Sequence, residues 1–171
     1  MKRLFFGLAP DIATRQQCAC LQKAIDNGQS QAVAIANLHV TLVFLGAINI
    51  NTENLLMEEA ATILLPEVNL NFDQLSYWSK PGILCLTSRT IGSSVLLLVE
   101  QLTVIAQKHT ISIDPRPYQP HVTLARKAKQ SVSLVFEPII WHADCFHLFE
   151  SCSTDHGVEY RILNSWSLKK Q

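Results

Sequence analysis

One four-residue phrase occurs twice in this chain, as His39-Val40-Thr41-Leu42 within NLHVTLVFLG and as His121-Val122-Thr123-Leu124 within YQPHVTLARK. Each copy sits in a β-branched, apolar run that reads as a strand. A period of two puts the histidine and threonine on one face and the valine and leucine on the other. The copies start about half a chain-length apart, so the repeat predicts two related halves, each supplying one strand, rather than a local duplication. Core packing explains such a repeat poorly, because a buried imidazole needs a partner and costs free energy without one.

The rest of the chain reads as alternating strands and amphipathic helices. Arg3 to Ala9 is a buried strand. A helix follows from about Asp11 to Asp26, with Ile12, Cys18 or Cys20, Leu21 and Ile25 available to its inner face, and Asn27-Gly28 ends it. The first motif strand runs from Leu38 to Leu45 and stops at Gly46. A second helix starts near Asn51-Thr52-Glu53-Asn54, carries Leu55, Leu56, Ala60, Ile63 and Leu64, and stops at Pro66. Val68 to Trp78 and Gly82 to Thr87 form an antiparallel pair around SKPG. Ser93-Ser94 caps a third helix to about His109, with Leu97, Leu98, Leu102, Ile105 and Ala106 as its apolar stripe. A proline-stiffened loop, Asp114 to Pro117, feeds the second motif strand. Val132 to Phe136, Asp144 to Cys152 and Glu159 to Leu168 supply the last strands, with a turn at Asp155-His156-Gly157. This order predicts an α+β protein with mixed or antiparallel sheets and outer helices, a single compact domain of two lobes over 1–171.

Charge and motifs narrow the chemistry. Lys+Arg and Asp+Glu balance at 14 each, so no global positive field holds a long nucleic acid, and an RNA substrate would be gripped at an end. Neither GxGxxG nor GxxxxGK[ST] occurs, which removes most nucleotide-cofactor readings. The five cysteines form an odd set with no CxxC pair. Together with a start too short in apolar residues for a signal peptide, they predict reduced thiols in a cytoplasmic protein. No apolar run approaches the ~20 residues of a membrane span. A monomer without metal or cofactor is expected.

Two His-x-Thr pairs suit a cyclic phosphodiester. Its hydrolysis needs water activated on one side of phosphorus, a proton delivered to the leaving oxygen on the other, and donors on the oxygens between. An imidazole with an ordinary pKa of about 6.5 serves as base or acid near neutrality. The two threonine hydroxyls are the candidate donors, and Arg126 can add a charge-assisted contact to the same phosphate. Trp78, with Tyr77 beside it, is a candidate to stack on a base. Tyr118 and Arg116 are candidates for the substrate entrance. Phe44 reads as core, because it shares the face of His39 and Thr41 only if the strand is bulged. His109, His142, His147 and His156 read as structural or solvent-facing. The pattern is symmetric and does not say which histidine is acid and which is base.

The paired HxTx phrases, the opening RLFFGLAPD and the late FHLFESC and YRILNSWSL segments resemble the two-histidine (2H) phosphoesterase superfamily over nearly the whole chain. They are most similar in character to the bacterial RNA 2',3'-cyclic phosphodiesterases, the LigT-like group historically called 2'-5' RNA ligases. The resemblance implies a bilobal fold with a pseudo-twofold axis and a central cleft. It also implies His39 as proton donor to the leaving 3'-oxygen and His121 as proton acceptor, leaving a 2'-phosphate end. Thr41 and Thr123 match the motif threonines, and Arg126 a basic residue that follows the second motif. The expected partner is an RNA or nucleotide bearing a 2',3'-cyclic phosphate. The alternatives are a small cyclic nucleotide such as an ADP-ribose cyclic phosphate, a reversible 2'-5' RNA ligase activity, and a non-catalytic RNA-end binding module.

Overall fold

The structure is a computed structural model that describes residues 1–26, 28–155 and 157–169. Asn27 of the first helix stop and His156 of the last turn lie outside the described residues. The strands are β1 (Lys2–Leu8), β2 (Gln31–Ala32), β3 (Val40–Ile48), β4 (Val68–Phe72), β5 (Gln74–Trp78), β6 (Ile83–Thr87), β7 (His121–Arg126), β8 (Ile139–Ala143), β9 (Cys145–Thr154) and β10 (Gly157–Ser167). The helices are α1 (Ile12–Ile25), α2 (Ile50–Ala60) and α3 (Ser93–Lys108). One large antiparallel sheet has the order β10-β9-β1-β3-β7-β6-β5, with β2 added against β7, and β4 pairs with β8 in a small second sheet.

The two motif strands are neighbours at the centre of the large sheet, and Val40↔Val122 is the residue pair that joins them. Both valines are fully buried. An antiparallel pair has a local twofold axis normal to the sheet, and here that axis passes between these valines. It relates β1 to β6, β3 to β7, β4 to β8 and α1 to α3. The helices cross over it: α1 packs on β7 and β8, while α3 packs on β3 and β4.

Local chemistry explains the helix ends. Asp11 caps α1 through its carboxylate, which accepts from the Thr14 N–H at 2.7 Å, a contact that contributes about 1 kcal/mol. That bond also holds the Asp11 carboxyl below the usual carboxylate range. For α2 the cap is Asn49, which accepts from Thr52 N–H at 2.9 Å, two residues before the predicted start. Gly92, not the serines, precedes α3 and gives no side-chain cap. On α1 the inner face is Thr14, Cys18, Leu21, Gln22 and Ile25. Ile12 is 77% exposed, and Thr14 is the residue of the first turn that faces inward. Leu55, Leu64 and Leu97 are likewise exposed. Val132 to Phe136 forms no strand, and β8 and β2 were not foreseen. Val68 to Trp78 divides into β4 and β5, which serve different sheets. The β5–β6 hairpin around SKPG does form, with Trp78 opposite Ile83.

Candidate active site

Because Val40 lies opposite Val122, the flanking positions of the antiparallel pair set His39 across from Thr123 and Thr41 across from His121. The two phrases are therefore crossed. Their four polar side chains share the face opposite the buried valines, and the two histidine positions are diagonal neighbours, about 7–8 Å apart in a regular ladder. That leaves room for a phosphate between two imidazoles.

Both strands carry a bulge at the motif leucine. Against β1, Phe6 pairs with Val43 but Gly7 with Thr41, so Leu42 is the extra residue. Against β6, Leu84 pairs with Ala125 but Cys85 with Thr123, so Leu124 is the extra residue. A bulge shifts parity by one. It turns Phe44 onto the face of His39 and Thr41, and Arg126 onto the face of His121 and Thr123. Phe44 is thus 47% exposed rather than core, and it corresponds to Arg126 in the other half. Gly46 does not end β3. It sits at a second shift, between Leu4 and Phe5 of the β1 ladder, with φ +79, where a side chain would be strained.

Each bulge is held by the opposite half of the chain. The buried Gln22 amide of α1 donates to the carbonyl of Leu124 and to that of Val33, both at 2.8 Å. Tyr118 is not at an entrance. Its hydroxyl donates to the Thr41 carbonyl at 3.1 Å, and burial pushes its pKa up. Arg116 stays outside, paired with Asp114.

Matching contacts set the tautomers. His39 Nδ1–H donates to the Asn37 carbonyl at 2.7 Å, and His121 Nδ1–H to the Gln119 carbonyl at 2.9 Å. Asn37 is itself clamped to β10: its amide donates to Val158 O at 2.6 Å and accepts from Tyr160 N–H at 3.1 Å. Gln119 donates to Ser88 O at 3.2 Å. Both Nε2 atoms are left as the working nitrogens.

The surroundings differ. His39 lies among Phe5 (ring centroids 4.9 Å), Tyr160 (4.7 Å) and Phe149 (6.0 Å). Its Nε2 is 3.1 Å from Thr41 Oγ1, so that hydroxyl donates to the neutral ring. Burial pushes His39 down to about 4, opposed by the Asn37 bond and reinforced by His121 and Arg126. His121 has the Trp78 ring at 4.7 Å. It too is lowered, first by burial and, against its Gln119 bond, by Arg126. A cleft of about 630 Å³ opens beside His39, lined by Phe5, Thr41, Phe44, Arg126 and Tyr160 among others. Trp78 lies beside His121, outside that lining.

The other described histidines are engaged elsewhere: His109 with Glu59 at 2.9 Å, His142 with Asn69 and His147 with Ser165 at 2.8 Å. Among the described residues no group of three His, Cys, Asp or Glu side chains could hold a metal. All five cysteines are free thiols. Among the described residues no helix is long and apolar enough to cross a membrane.

No protein-family profile matches the chain. A curated RNA 2',3'-cyclic phosphodiesterase of Escherichia coli K12 is 27% identical over 170 residues, 98% of this chain and 97% of that one. The crystal structure of E. coli LigT in apo form superposes with a TM-score of 0.90 at 26% identity, covering 99% and 98% of the two chains. The chain has the fold of the two-histidine phosphoesterases. The same fold recurs in E. coli LigT complexed with 3'-AMP, at TM-score 0.91 and 26% identity over 99% of both chains. It recurs again in TT0787 of Thermus thermophilus, at TM-score 0.82 and 22% identity over 99% of both, a likeness of fold alone. Within this site, the sequence misses Phe44, Asn37, Gln119, Gln22 and the bracing role of Tyr118. Only the carboxamide residue two places before each histidine left a trace in the pattern.

Proposed function

We propose that this enzyme hydrolyses RNA 2',3'-cyclic phosphate ends to 2'-phosphate ends without a metal, using His39 and His121 as the acid and base. The crossed arrangement of two tautomer-fixed imidazoles about the Val40–Val122 axis carries this reading. A phosphate on that axis meets one Nε2 from each side. His121 Nε2 takes a proton from water as the water oxygen attacks phosphorus. The bond to the 3'-oxygen breaks, and His39 Nε2–H delivers its proton to that oxygen. Arg126 and the Thr41 and Thr123 hydroxyls donate to the non-bridging oxygens, where charge accumulates. The family resemblance assigns the acid to His39, and the crossed geometry accommodates either assignment.

Burial favours the neutral form of both rings, His39 most strongly. A bound phosphodiester brings a negative charge beside His39, which favours its imidazolium and displaces the Thr41 hydroxyl from Nε2. The acid pKa seen in kcat should therefore lie above that of the free protein. The two halves act as one folding unit in this reading, because α1 and α3 each pack on the other half's motif strand. A cytoplasmic monomer is the form proposed to act.

The test is turnover of an oligonucleotide 2',3'-cyclic phosphate in excess EDTA by wild type, His39→Ala and His121→Ala. Turnover by wild type alone is the expected result. Wild-type rates in either variant, or no turnover at all, would sink the proposal. Binding without turnover by the wild type would instead indicate an RNA-end binding module.

A further inference from the structure

The cleft wall contains two guanidinium groups, Arg3 and Arg126, and no carboxylate, on a chain whose charges otherwise balance. Arg126 shares the face of His121 and is accounted for by the reacting phosphate. Arg3 is not. Its neighbour Lys2 is tied to Glu53 at 2.7 Å, whereas the ion pairs among the described residues leave Arg3 without a carboxylate. Its guanidinium lies over the Phe44 ring, 5.0 Å from the centroid. That ring is in the cleft because of the bulge at Leu42. A guanidinium held over an aromatic face by a cation–π contact, with no carboxylate partner, keeps N–H donors for a two-bond contact with an oxyanion.

The position fits a particular anion. Phe5, whose ring touches His39, follows Arg3 by one strand period on the same face, about 7 Å along β1. Successive phosphates of an extended RNA strand are separated by a distance of that order. The hydroxyl-bearing Ser151 and Ser153 of β9 line the same part of the wall.

We propose that Arg3, seated on Phe44, binds a second phosphate, the one on the 5'-oxygen of the nucleotide that carries the cyclic phosphate. This rests on the hydrolase reading above and deepens it. The substrate class is then an oligonucleotide end or a 5'-phosphorylated nucleotide, in preference to a nucleoside cyclic phosphate with a free 5'-hydroxyl.

Three substrates separate the sources of that phosphate: a dinucleotide 2',3'-cyclic phosphate, a nucleoside 5'-phosphate 2',3'-cyclic phosphate, and the nucleoside 2',3'-cyclic phosphate. Their kcat/KM values are compared for wild type, Arg3→Met and Arg3→Lys in EDTA. Wild type should favour the two 5'-phosphate substrates about tenfold. Arg3→Met should bring those ratios close to one, and Arg3→Lys should retain part of them. The preference should also weaken with salt, with a logarithmic slope near 0.7 for one phosphate contact. Should Arg3→Met fail to fold by circular dichroism, the salt slope and Arg3→Lys decide. Absence of a wild-type preference, or ratios that survive both Arg3→Met and added salt, overturns the assignment. A dinucleotide preference that survives Arg3→Met overturns it as well, placing the gain in the neighbouring nucleoside. Failure to turn over any of the three substrates refutes the hydrolase reading itself.

Discussion

The strands β3 and β7 begin from the same phrase and end in different chemistry. Both carry histidine, then threonine, then a bulged leucine, and both fix Nδ1–H on the carbonyl two residues back. Five residues after the histidine, one offers a phenyl ring and the other a guanidinium. Around His39 the wall is aromatic and buried, and the ring is driven down to about 4. Around His121 there is one indole and a nearby cation. Shared backbone geometry supplies two equivalent nitrogens, and unshared side chains make them unequal.

The comparison breaks most visibly at the histidines. His39→Ala and His121→Ala should each lower kcat about 10³-fold. The double variant should be little worse than either, since the pair acts as a unit; steady-state rates on one cyclic substrate check this. Next come the two positions that end the phrases. Arg126→Gln should cost about 10²-fold in kcat/KM, as loss of a charge-stabilising donor does. Phe44→Leu, its counterpart, should leave kcat within a few-fold. Equal losses at both positions would mean that the halves do not divide the work in this way.

The braces give a smaller effect, read by denaturant unfolding. Gln22→Leu leaves the Val33 carbonyl without the amide and should destabilise by about 1–3 kcal/mol. Tyr118→Phe removes a single bond and should cost about 1 kcal/mol. Smaller still is the acid limb of stability. The His39 pKa is lower folded than unfolded, so between about pH 6.5 and 4 the unfolded chain binds more protons. Stability present above pH 6.5 is lost as pH falls toward 4, by about 2 kcal/mol or less. A His39→Gln protein should show a flatter decline over that window.

How far the sequence goes is clear from the same strands. The repeat revealed the motif strands, the shared faces and the candidate histidines, because strand parity is a local property. Phe44 was misread because a bulge depends on pairing with β1 and β6 and on braces from Gln22 and Tyr118, far away in the chain. Val132 to Phe136 has an apolar composition suited to a strand but forms no ladder, and Val132, Leu134 and Phe136 pack against the core instead. Ile12 is apolar, yet the inner stripe of α1 runs Thr14, Cys18, Leu21 and Ile25, so a polar threonine takes the buried place in the first turn. The assignment of acid and base was invisible in a symmetric pattern, and it stands on the family resemblance.

The most direct test of the central claim is the product formed from a 2',3'-cyclic phosphate in heavy-oxygen water, without metal. Attack by water opposite the 3'-oxygen, with His39 protonating that oxygen, predicts a 2'-phosphate carrying one labelled oxygen. A 3'-phosphate product would contradict the role given to His39.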